Sequence, residues 1–163
     1  MVNARHAEFD DIDDIVRLRE VMYESWRDAS GAAWTGSGDP AWKADAAEAL
    51  RLRLGEDKPT MAVTVVDAPD GSGGLAACAT GVISERLPSP GNRTGRSGWI
   101  FNVSTDLDWR RRGYSRACMT ALLEWFDQQS VPSIELRASV EGRNLYEQLG
   151  FTIPEEPAMR LNR

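Results

Sequence analysis

Four arginines and a glycine crowd into Arg110-Arg111-Arg112-Gly113-Tyr114-Ser115-Arg116. A β-branched stretch, Trp99 to Thr105, comes before them. An apolar pattern at helical spacing follows, through Cys118, Ala121, Leu122, Trp125 and Phe126. The chemistry this suits is anion binding. A helix start offers unpaired N–H groups and the positive end of its dipole, and a small residue lets phosphate oxygens reach the backbone. Arginines add forked, charged donors. The chain has 17 arginines and two lysines, Lys43 and Lys58, so a chance triplet is expected about 0.18 times. The run alone also fits a solvated basic face. The strand before it and the helix after it give it weight.

Two common phosphate loops fail. Neither lysine follows a glycine, so no Gly-Lys-Ser/Thr loop exists. Gly113 stands alone, so the three-glycine dinucleotide fingerprint is absent as well. What remains is an anionic cofactor held by one tight turn. Nucleophilic catalysis has no support, because neither Cys78 nor Cys118 has an evident histidine partner. His6 is the sole histidine, and no metal ligand set is expected.

The elements that must position this loop are readable. Residues 3–8 suit a short strand. Phe9-Asp10-Asp11 opens a helix whose acidic start suits its dipole. Asp39-Pro40 starts a second helix that runs to Leu54 and stops at Gly55. Residues 61–67 and 75–84 are strands around a Pro/Gly/Asp turn. Residues 85–97 are a loop, 99–105 a strand and 112–128 a helix. A strand over 134–139 and a short helix over 142–149 follow. Residues 151–162 suit one or two closing strands. The expected fold is α/β: a central, mixed, mostly antiparallel sheet flanked by helices, in one domain.

Composition sets the outer bounds. The chain has 163 residues, 42% apolar and 27% charged, enough for one packed core. With 25 acids against 19 bases, net −6, it lacks a nucleic-acid footprint. No apolar run reaches the roughly 20 residues of a membrane span. Two cysteines make no disulfide framework. These features predict a soluble cytoplasmic protein with neither nucleic-acid nor membrane partners.

The stretch from Asn102 to Ala117 resembles the acetyl-CoA-binding motif of the Gcn5-related N-acetyltransferases (GNAT), Q/R-x-x-G-x-G/A. It matches at Arg110 and Gly113 and departs at Ser115. Leu145-Tyr146-Glu147-Gln148-Leu149-Gly150-Phe151 resembles that family's L-Y-x-x-x-G-F segment. Ser139 and Gly142 stand where the family often has Asn-x-x-Ala ahead of the tyrosine. The order of elements agrees over nearly the whole chain, the first 60 residues in layout alone.

The resemblance implies a single acetyltransferase domain over 1–163. Residues 1–60 would be mainly acceptor-side helices and 61–163 the cofactor-binding core. It implies acetyl-CoA as acyl donor and an amine of a small molecule or peptide as acceptor. Backbone at Val103 and Thr105 would pair with the pantetheine arm, and Ser139 would touch it. The loop Arg110, Arg111, Arg112, Gly113, Tyr114, Ser115 and Arg116 would hold the pyrophosphate. Tyr146 would be the catalytic acid toward the leaving thiolate; the other reading is a packed aromatic. Glu20, Glu24, Glu85 and Asp106 are the candidate proton acceptors. Trp34 and Trp42 either stack on the acceptor or pack the first two helices. Two rivals are an acyl-CoA-binding sensor module without turnover and an acyltransferase using a longer thioester. Dimers are common in the family, the sole reason to expect a homodimer.

The charge divides unevenly. Residues 1–60 hold 13 acids and 8 bases, while 61–163 hold 12 and 11. This points to a polyanionic cofactor on one side and a cationic amine on the other, unless the early acids are ordinary solvated helix faces.

Overall fold

The computed structural model describes residues 2–30 and 39–161. Trp34 lies outside them. Five strands form one sheet in sequential order: β1 (Arg5–His6), β2 (Met61–Asp67), β3 (Leu75–Glu85), β4 (Arg96–Thr105) and β5 (Ser133–Leu136). The first four are antiparallel neighbours, and β4–β5 is the parallel pair. Helices α1 (Ile12–Ser30) and α2 (Ala41–Leu54) precede β2. Helix α3 (Tyr114–Gln128) crosses from β4 to β5, and α4 (Arg143–Gln148) follows β5.

Burial explains the strand sequences. Six consecutive residues of β2, Met61 to Val66, are buried, as are the first seven of β3. Both sheet faces are covered, so apolar residues run continuously instead of alternating. One core lies under α3 and contains Phe126, Leu122, Met119 and Ile100. The other lies under α1 and α2 and contains Ile15, Leu18, Leu50 and Val63.

Local chemistry sets the helix starts. Glu8 and Asp11 form a reciprocal capping box around the 3-10 turn Phe9–Asp11 that leads into α1. The Ala41 N–H donates to Asp39 at 2.9 Å ahead of α2, and Gly55 follows its last turn. Among the described residues no helix is long and apolar enough to cross a membrane.

Three expectations need correction. No strand forms over 151–161. Pro154 and Pro157 lack the N–H that a ladder needs, and this segment is almost wholly exposed. The strand expected over 134–139 ends at Leu136. β4 begins at Arg96, inside the expected loop. Trp42 meets Tyr23 edge-on, with centroids 5.8 Å apart, which supports packing for that residue.

Helix α3 is seated by one ring. Phe126 is fully buried, and a Cβ added at Gly81 or Gly98 would lie 2.7 Å from it. These two strand glycines are therefore the floor of its socket. Gly98→Ala should cost about 1–3 kcal/mol by overpacking, read by urea denaturation. An unchanged midpoint would contradict this seating.

Candidate active site

Strands β4 and β5 form a fork. They pair from Ser97–Ser133 to Ile100–Leu136 and no further. Beyond Ile100, β4 carries a bulge. Cys78 pairs with Ser104 and Thr80 with Phe101, so two β4 residues oppose one on β3. The bulge contains Asn102 at φ 53°, left-handed, a region that asparagine tolerates better than most side chains. The Asn102 side chain is buried, 5% exposed, beside Cys78. Burial pushes that thiol up to about 12, so it stays protonated and donates to the Asn102 carbonyl at 3.5 Å.

Past the bulge, the Asp106 N–H bonds the Ala76 carbonyl on β3. Backbone groups alternate sides along a strand, so those of Val103 and Thr105 face away from β3, toward the fork. An extended chain lying there would find a row of backbone partners. Its far end would meet the loop before α3.

That loop has the form of an anion cradle. Gly113 is left-handed, at φ 82°, and a Cβ added there would meet nothing within 4 Å. Arg111 is also left-handed, at φ 63°. Such turns direct successive N–H groups to one side, at the positive end of a 15-residue helix. The Ser115 hydroxyl lies 2.5 Å from that of Thr105. It ties the helix start to the end of β4 and so has a partner within the chain. Tyr114 packs its ring partly against the α3-side core.

The arginines divide. Arg110 turns inward, donating to Ser25 at 2.8 Å and to the Thr105 carbonyl at 3.4 Å. Arg112 lies over the Trp109 ring, 4.8 Å from its centroid. Arg116 donates to Gln148. What the loop offers a ligand is thus its backbone and local positive charge more than four open forks.

Tyr146 lies in the fork. It is 8% exposed and lines a cleft of about 250 Å³ together with Val103 and Ser139. Its ring meets Phe151 edge-on at 6.2 Å, and burial raises its pKa above the ordinary phenol value. The Ser139 hydroxyl accepts from the Gly142 N–H at 3.1 Å, so it organises the turn that presents the tyrosine. A Cβ at Gly142 would lie 2.8 Å from the Tyr146 ring. The glycine is therefore fitted to where this tyrosine sits.

The structure fits the carboxylate candidates less well. Glu20 pairs with Lys43 at 2.6 Å, and Asp106 pairs with Arg17. None of Glu20, Glu24, Glu85 and Asp106 is among the described residues lining the cleft. The other walls hold Trp26, Trp99, Phe101 and Arg137, to which sequence reading gave no role. Alternation on a strand hinted at Trp99 and Phe101; nothing local marked Arg137.

The sequence model of the acetyltransferase (GNAT) family matches residues 18–151. The chain belongs to that family. No curated protein matches it. Its fold is similar to a predicted acetyltransferase of Clostridium acetobutylicum solved with acetyl-CoA, with TM-score 0.80 and 22% identity over 99% of this chain and 96% of that one. A GCN5-related N-acetyltransferase of Ralstonia eutropha gives 0.77 and 23% over 99% of both chains. Glucosamine-6-phosphate N-acetyltransferase of Arabidopsis thaliana gives 0.69 and 18% over 99% and 98%. At such identities the likeness speaks for the fold alone.

The fit of Gly142 to Tyr146 can be tested in this acetyltransferase. Gly142→Ala should displace the ring and lower stability by about 1–3 kcal/mol, with a fall in turnover. A variant matching the parent in melting and rate would contradict the contact.

Proposed function

We propose that this acetyltransferase is an N-acetyltransferase. It acts on the amine of a small molecule or peptide, by direct attack within a ternary complex. Acetyl-CoA is the cosubstrate, and it supplies an activated thioester and a thiol leaving group. The observation that carries the reading is Tyr146, buried in the cleft where β4 and β5 part.

The chain's own groups divide the work. Backbone N–H groups from Arg111 to Arg116 hold the pyrophosphate at the start of α3. Val103 and Thr105 offer backbone partners to the pantetheine arm, as an added strand would find them. The Val103 N–H polarises the carbonyl as charge grows on its oxygen. The amine nitrogen forms the new C–N bond as the C–S bond breaks, and the Tyr146 hydroxyl gives its proton to the sulfur. A phenol near 10 is a weaker acid than a thiol near 8.5, so this transfer is uphill by about 2 kcal/mol or more. That is small beside the barrier of a reaction turning over in seconds. No described carboxylate lines the cleft, so the amine loses its proton to water.

Three outcomes follow from these roles. Tyr146→Phe should lower kcat by about 10²-fold or more, with acetyl-CoA affinity held within a few fold. An unchanged rate would remove the acid role. Burial raises the folded pKa of Tyr146, so the phenol keeps its proton through the neutral range and beyond. The pH profile should therefore rise with the free-amine fraction and show no fall below about pH 10. A limb falling near pH 7 would point to a different acid. Arg111→Glu with Arg112→Glu should weaken acetyl-CoA binding at least about tenfold by calorimetry; unchanged affinity would move the pyrophosphate elsewhere.

A further inference from the structure

The excess of acid in the first 60 residues suits a cationic acceptor, but the fold spends many of those acids elsewhere. Asp11 pairs with Arg5 at 2.7 Å, Asp14 with Arg17 at 2.7 Å, and Glu20 with Lys43 at 2.6 Å. The cleft has the opposite character. No aspartate or glutamate is among the described residues lining it, whereas Arg137 and Arg160 are. Neither arginine side chain makes a hydrogen bond or ion pair with another described residue. Glu135, two positions before Arg137 and within β5, is not part of the lining.

Arg137 is poorly placed to serve the cofactor's pyrophosphate. It follows the last β4–β5 pair, Ile100–Leu136, at the apex of the fork. The anion cradle begins past Thr105, five positions further along β4, roughly 16 Å away. Ile134 and Leu136 pack against the α3-side core, whereas Arg137, one residue past the end of β5, lines the cleft together with residues of the α1 face. On that face stand Met22 and Trp26 of α1 with Trp99 and Phe101 of β4. Trp26 is 49% exposed.

We infer that the acceptor is a primary amine whose molecule also carries a carboxylate and a flat apolar ring, the chemistry of an aromatic amino acid. The inference rests on the N-acetyltransferase reading. Its carboxylate takes the forked donors of Arg137 and Arg160, which favour planar anions. Its ring lies against Trp26, Trp99 and Phe101 and covers the half-exposed indole. Its amine is left at the apex, beside Tyr146. A polyamine or other polycation meets two uncompensated positive charges in the same space and is rejected.

The test is calorimetry on the protein saturated with CoA, paired with thiol release from acetyl-CoA. The probes are tryptophan, its decarboxylated analogue tryptamine, spermidine and glucosamine 6-phosphate. Tryptophan should bind at least about tenfold tighter than tryptamine, and spermidine weakest. Arg137→Gln with Arg160→Gln should bring the tryptophan-to-tryptamine ratio toward one, and Arg137→Lys should keep part of it. Both arginines are exposed, so folding should survive either change. Tryptamine or spermidine binding as tightly as tryptophan would overturn the inference. Tighter binding of glucosamine 6-phosphate would overturn it too, by assigning the arginines to a phosphate. Tryptophan bound in this order without thiol release would uphold the recognition and overturn the N-acetyltransferase reading. Thiol release at equal efficiency with and without the carboxylate would do the reverse.

Discussion

Two parallel strands that pair for four residues and then separate leave backbone groups with nothing to bond. In this acetyltransferase the bulge at Asn102 follows directly on the last β4–β5 pair, and the rest of the site depends on it. Unpaired backbone is costly when buried, so a fork survives only if it opens on water or a ligand. It opens here on a cleft lined by Val103, Ser139 and Tyr146. Asn102 takes the left-handed conformation at this point, and the buried thiol of Cys78 holds its carbonyl. The parting of β4 from β5 also leaves room for the cradle before α3. Seating that helix on Phe126 fixes where its N-terminus points.

The α1 face is held by charge as well as by packing. Arg17 bonds Asp14, Asp106 and the Leu75 carbonyl, and so joins α1 to the ends of β3 and β4. The guanidinium beside Asp14 and the Leu75 N–H outweigh its burial and lower its carboxyl pKa. Arg110 reaches back to Ser25 and joins the cradle to the same helix. The chain's acidity is therefore partly structural, used to clamp α1 across the sheet. The cleft itself is walled by aromatic and basic residues instead.

Much of this was legible in the sequence because the signals were local. Val63, Val65 and Val66 marked β2 by type, Asp39 and Gly55 bracketed α2, and Gly113 marked a turn that its positive φ requires. The Leu-Tyr and Gly-Phe flanks singled out Tyr146. What was not legible depended on distant partners. The inward turn of Arg110 needs Ser25, 85 residues earlier. The use of Asp106 as a clamp needs Arg17. Gly142, where the family often has alanine, makes sense only against the Tyr146 ring. The missing closing strands show the converse. Residues 151–161 had strand-like composition, but two prolines in a mostly exposed segment left them without a ladder.

We propose that the open backbone of the fork and the cradle before α3 form one continuous binding surface for acetyl-CoA. Residue-resolved amide exchange with and without CoA tests it most directly. Slower exchange should appear together at Val103, at Thr105 and across 111–116, with the amides of β2 unchanged. Protection confined to other segments, with Val103 and Thr105 exchanging as before, would contradict it.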